Sequence, residues 1–223
     1  MPTAAGRLIA KEDGAWELPA ESRRGPNVWL TGPVASPFSC RPLKRVLFEG
    51  AYGKGCVPFG CRSCFKVKIA LKTLRQLMAA RDLANPTPYA FKCGLDLGIR
   101  YSSGVYAAFF YLDGLEQARS AFAELRRLVD EAPALGPDTP MLIKRGCTEY
   151  EVHCGPSDSY PIASEEVEAW LLAHVTIPPS VQALPKGMTV LHWIQAAFQL
   201  GDETYLDFTH GRRLYPKVLT YAP

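Results

Sequence analysis

The stretch Gly104-Val-Tyr-Ala-Ala-Phe-Phe-Tyr-Leu112 decides the fold class. It is apolar at odd and even positions alike, which predicts a strand buried on both faces at the centre of a sheet. Asp113 follows as a helix cap, with Glu116 as the return half of a capping box. Leu115, Ala118, Phe122, Leu125 and Val129 then recur at alternating three- and four-residue steps, the period of an amphipathic helix. Pro133 and Gly136 end that helix. Met141–Cys154 reads as a further strand, bent or broken at Gly146. The strand, helix and strand over 105–112, 115–129 and 141–153 make a candidate right-handed crossover.

Working outward, Leu71, Leu74, Leu77 and Met78 predict a helix over Val67–Ala84, stopped by Asn85-Pro86-Thr87-Pro88. Tyr89–Lys92 and Leu97–Tyr101 are short strand candidates, as are Arg7–Ala10, Val28–Leu30 and Lys217–Tyr221. Ser164 caps a helix with Glu165, Glu166 and Glu168 in its first turn, ended by Pro178-Pro179. A last helix covers Thr189–Leu200, with Gly201 as its stop. The expected class is α+β, a mostly antiparallel sheet packed with helices, carrying a cysteine-rich metal-binding loop. Residues 1–40 form an N-terminal extension, 41–175 the main domain, and 176–223 a C-terminal extension packed on it.

The chain has 223 residues, 48% hydrophobic and 21% charged, which excludes long disorder, a coiled coil or a collagen-like chain. No apolar run approaches the roughly 20 residues of a membrane helix, and the N-terminus lacks a signal-peptide layout. These features predict a soluble, cytoplasmic protein with no membrane partner. No Walker loop, dinucleotide fingerprint, nucleophile elbow or H-E-x-x-H motif occurs.

Seven cysteines, an odd number without an export signal, argue against a disulfide framework. Their sharpest pattern is Cys56-x4-Cys61-x2-Cys64, followed by Cys93. Close thiols on a tight loop, joined by one from a distant loop, suit a metal cage. The spacing resembles the plant-type ferredoxin arrangement. That resemblance implies an iron–sulfur cluster, 2Fe-2S, held by Cys56, Cys61, Cys64 and Cys93. A 4Fe-4S cluster needs the same four thiolates. The three-cysteine loop also resembles that of radical-SAM enzymes, whose C-x3-C-x2-C spacing is one residue shorter. Zinc is the alternative metal, with Cys61 and Cys64 joined by Cys147 or Cys154 and His153. Cys40 reads as a bystander.

A second constellation is Gly146-Cys-Thr-Glu-Tyr-Glu-Val-His-Cys-Gly155. On a strand, Cys147, Glu149, Glu151 and His153 share one face, as metal ligands or as nucleophile, acids and base. The same strand also reads as a solvated face with Tyr150 and Val152 turned inward.

The net charge of +3 is unevenly spread. Arg41–Arg81 holds ten basic residues and one acid, whereas 146–185 holds six acids and no Lys or Arg. The basic segment predicts an acidic protein partner or an anionic substrate. Nucleic acid is not favoured, because the overall charge is small. The leading functional expectation is an iron–sulfur protein serving electron transfer or a redox reaction. The alternatives are a zinc-stapled binding module for an acidic partner or nucleic acid, and a thiol-dependent enzyme using Cys147 or Cys154 with His153.

Overall fold

The elements are those of a computed structural model that describes residues 9–12, 14–17, 28–97, 104–176, 185–216, 219 and 221. They run β1 (Ile9–Ala10), β2 (Trp16–Glu17), β3 (Trp29–Thr31), a wide helix at Pro42–Ala51, and a helical turn at Phe59–Cys61. Next come β4 (Cys64–Leu71), α1 (Leu74–Ala84), β5 (Ala90–Leu95), β6 (Tyr106–Asp113), α2 (Leu115–Glu131) and β7 (Met141–Arg145). The chain continues with α3 (Thr148–Cys154), α4 (Glu165–His174), β8 (Val175–Thr176), α5 (Lys186–Gln199) and a turn at Glu203–Phe208.

Five strands form an antiparallel sheet in the order β3-β5-β6-β4-β7. The apolar Tyr106–Asp113 strand lies at its centre, as its two-sided hydrophobicity requires. Ala108 pairs with Ile69 on one side and with Cys93 on the other. The units β4-α1-β5 and β6-α2-β7 are both split, each having one strand of the other unit between its own two. A smaller sheet, β1-β2-β8, joins the N-terminal strands to the end of α4. The class is therefore α+β, with a mostly antiparallel sheet packed with helices. No helix among the described residues is long and apolar enough to cross a membrane.

Three expectations are corrected. The helix expected over Val67–Ala84 is a strand followed by a helix. In Cys64–Leu71, Phe65, Val67, Ile69 and Leu71 face the helices while Cys64, Lys66, Lys68 and Ala70 face away, a two-residue period. Thr73 then caps α1, its hydroxyl accepting from the Gln76 N–H at 3.2 Å. Second, the strand expected over Met141–Cys154 stops at Arg145, and the remainder is α3. Third, α2 is capped at Gly114, and Gln117 rather than Glu116 reaches back, accepting from the Asp113 N–H at 3.2 Å. The strands expected at Leu97–Tyr101 and Lys217–Tyr221, and the stop at Pro178-Pro179, fall mostly or wholly outside the described residues.

Two cores lie on opposite sides of the sheet. The helix-covered side buries Val67, Ile69 and Leu71 of β4, Phe91 and Cys93 of β5, and Phe110 of β6 against α1, α2 and α5. Each such side chain contributes about 1.5–3 kcal/mol of apolar burial. Trp193 of α5 is fully buried here, and its indole N–H donates to the Val28 carbonyl at 2.7 Å. Gly94 permits β3 to approach β5, since a Cβ there would lie 2.1 Å from the Val28 carbonyl oxygen. The second core joins Phe38, Leu43, Val46, Leu47 and Phe48 to Cys61, Cys64, Tyr150 and Tyr160.

Candidate functional site

The site begins where β7 ends. The Gly146 N–H donates to the Cys64 carbonyl at 2.7 Å, one step beyond the Phe65–Arg145 pair of the ladder. Gly146 then takes φ +64°, and a Cβ there would lie 2.8 Å from the Tyr150 ring, so the turn requires glycine. Tyr150 is held in the second core by Phe48, with ring centroids 4.5 Å apart. This tight turn seats Cys147 against Lys66 of β4.

The Lys66 Nζ donates to the Cys147 Sγ at 3.2 Å. Lys66 is only 5% exposed and also lies 5.2 Å from the Tyr111 ring centroid. A buried ammonium without a counter-charge is costly, and no carboxylate bonds it among the described residues. The group bonded to it is the Cys147 sulfur. Burial alone pushes the Cys147 thiol up, but the Lys66 and Lys44 charges outweigh burial and the net shift is downward. Burial likewise works against the Lys66 ammonium, yet Cys147 and Tyr111 hold it protonated and the net shift is upward. Both shifts arise from the same contact, in which the Lys66 ammonium favours the ionised form of the Cys147 thiol.

The neighbouring thiols are different. Burial pushes Cys61 and Cys64 up to about 12, and it also raises Cys40. Each of these three feels the charge of Cys147. The Cys61 sulfur and the Tyr150 hydroxyl are hydrogen-bonded at 3.4 Å. Cys61 is fixed by its turn, which Glu168 of α4 clamps from below. The Glu168 carboxylate accepts from the Phe59 N–H at 2.6 Å and the Gly60 N–H at 2.9 Å. Cys147 is thus the one thiol of the four that its surroundings shift downward, beside three that burial raises.

The residues singled out by sequence are partly assembled. Cys147 is central. Glu149 is paired with Lys44 at 2.5 Å, and its carboxyl, raised by burial, is lowered overall by that lysine. Glu151 instead meets Lys144 at 3.3 Å, and His153 is exposed, with its ring centroid 6.2 Å from that of Phe48. On the helix α3 these residues do not form the single face expected of a strand. Cys61 and Cys64 belong to the second core, whereas Cys93 pairs with Ala108 on the helix-covered side. Cys56 is half-buried, and its thiol, raised by burial, feels Cys154 and Glu168. The structure therefore does not bring Cys56, Cys61, Cys64 and Cys93 together. Among the described residues no group of three or more His, Cys, Asp or Glu is placed to hold a metal ion.

Lys66 is the residue of this site that the sequence alone did not single out. Its signal was the Lys-x-Lys alternation in Cys-Phe-Lys-Val-Lys-Ile, which sets Lys66 on the Cys64 face once the segment is a strand. Much of the basic segment is internally paired: Arg45 with Glu49 at 3.3 Å, Lys68 with Asp96 at 3.0 Å, and Arg75 with Asp207 at 2.5 Å. The charges directed at the thiols are those of Lys44, Lys66 and Lys92. Comparisons with protein-family models, curated proteins and solved structures give no match.

Proposed function

We propose that the protein is a thiol-dependent redox protein whose working group is the Cys147 thiolate. The observation that carries this reading is the part-buried 3.2 Å contact between Lys66 and Cys147, in a sector that also gathers Cys40, Cys61 and Cys64. A thiolate is the attacking species in thiol–disulfide exchange. The Cys147 sulfur attacks one sulfur of a substrate disulfide and expels the other as a thiolate. A neighbouring thiol then gives up its proton to that leaving thiolate and attacks Cys147. This closes an internal disulfide and releases the second substrate sulfur. Two electrons pass from the protein to the substrate. Lys66 keeps Cys147 ionised before the attack.

Treatment with a mild disulfide oxidant followed by peptide mass spectrometry tests this reading. The expected product is an internal disulfide that contains Cys147 and one of Cys40, Cys61 or Cys64. Cys147→Ser is expected to abolish it, and Cys93 is expected to remain a thiol. An oxidised product without Cys147 would contradict the reading. The iron–sulfur and zinc readings make a different prediction for the starting material. Stoichiometric iron and sulfide, or one tightly held zinc, in anaerobically purified protein would favour a metal centre over the free thiolate. For an iron–sulfur cluster, Cys93 would then have to leave the helix-covered core to complete the ligand set of Cys56, Cys61, Cys64 and Cys93.

A further inference from the structure

Lys92 lies on the same sheet face as Lys66. It pairs with Phe109 of β6, two residues from the Tyr111 that pairs with Lys66. Its Nζ sits 4.3 Å from the Trp29 ring centroid and 5.3 Å from that of Phe109. Among the described residues it has no hydrogen-bonded or carboxylate partner.

Lys44, Lys66 and Lys92 all act on the thiol of Cys40, so they share one neighbourhood. Lys66 bonds the Cys147 sulfur and Lys44 bonds the Glu149 carboxylate. Lys92 is the one of the three with no bonded partner among the described residues, and its ammonium lies against two aromatic rings. Burial works against that ammonium and its net shift is downward, so an anion brought in from outside would hold its charge. The rings on either side supply apolar walls for the body of such a molecule.

We infer that the Cys147 site takes a monoanionic, carboxylate-bearing substrate whose charged group docks on Lys92 and whose body lies against Trp29 and Phe109. This inference rests on the thiolate reading above and adds the substrate class to it. The docked carboxylate neutralises Lys92, while the reacting atom of the substrate faces the Cys147 sulfur. An excess of positive charge at the site also raises the rate at which anions arrive.

Two alkylating agents of similar size, iodoacetate and iodoacetamide, differ in charge and report on this directly. Relative to a small free thiol, Cys147 is expected to favour iodoacetate. Lys92→Gln is expected to lower the iodoacetate-to-iodoacetamide rate ratio by about tenfold, the lower end of such charge effects. In the wild-type protein, benzoate is expected to slow iodoacetamide labelling of Cys147, whereas benzamide is not. A ratio unaltered by Lys92→Gln, or equal protection by benzoate and benzamide, would overturn the inference while leaving the thiolate reading intact. Failure of both reagents to label Cys147 would instead overturn the thiolate reading itself.

Discussion

Lys66→Met is expected to slow iodoacetamide labelling of Cys147 at neutral pH by about tenfold or more, since each unit of thiol pKa is worth a factor of ten in thiolate. In the native site two influences oppose each other. Burial favours the neutral thiol, and the Lys66 and Lys44 charges overcome it to leave the thiol shifted down. Methionine fills much of the lysine volume but carries no charge, so burial then dominates and the thiol shifts up. The wild-type rate is expected to rise with pH and level off below the range of an ordinary thiol. The variant rate is expected to keep rising well into alkaline pH. The fold should tolerate the change, because Cys147 takes up a proton once its counter-charge is gone and no uncompensated ion is left buried. Superimposable pH profiles for the two proteins would contradict the ion pair.

Trp193→Ala is expected to cost about 3–5 kcal/mol in unfolding free energy, the range for deleting a fully buried tryptophan. Trp193 is 0% exposed and packs α5 into the helix-covered core. Its indole also bonds the Val28 carbonyl at 2.7 Å, beside the edge strand β3. The loss should therefore appear as a lower midpoint in urea and as faster amide exchange in the β3–β5 pairs around Leu30 and Cys93. Cys147 lies on the other side of the sheet, so its labelling rate in the folded variant should match the wild type. A loss under about 1 kcal/mol would show that α5 is peripheral to the core rather than part of it.

Much of the architecture was legible because hydrophobic period and local punctuation agree there. The central strand, the helix after it and the helix before Gly201 all follow from such agreement. The region before α1 was misread because Leu71, Leu74 and Leu77 continue a helical spacing across a strand boundary. Pairing with β6 over Cys64–Leu71 and with β7 over Phe65–Ile69 makes this segment a strand, and that is a tertiary fact. The segment Thr148–Cys154 alternates polar and apolar residues as a strand would. It is a helix because Gly146 turns the chain and Tyr150 is drawn into the second core.

The site shows the same division. Cys147 or Cys154 was a candidate nucleophile in the sequence, but the lysine that Cys147 meets was not legible there. His153 was the local candidate and is exposed, whereas Lys66 arrives from a strand 81 positions away. The cysteine spacing likewise carried local information only. Cys61 and Cys64 stay in one core, while the positions of Cys56 and Cys93 are set by elements that spacing does not describe.

The order in which the seven cysteines are labelled tests the central claim most directly. Reduced native protein is treated with limiting iodoacetamide at neutral pH, and each cysteine peptide is quantified by mass spectrometry. The account predicts that Cys147 is labelled first, well ahead of Cys61, Cys64 and Cys93, whose thiols burial holds up at about 12. Labelling in which Cys147 trails those buried thiols, or all seven react alike, would contradict it.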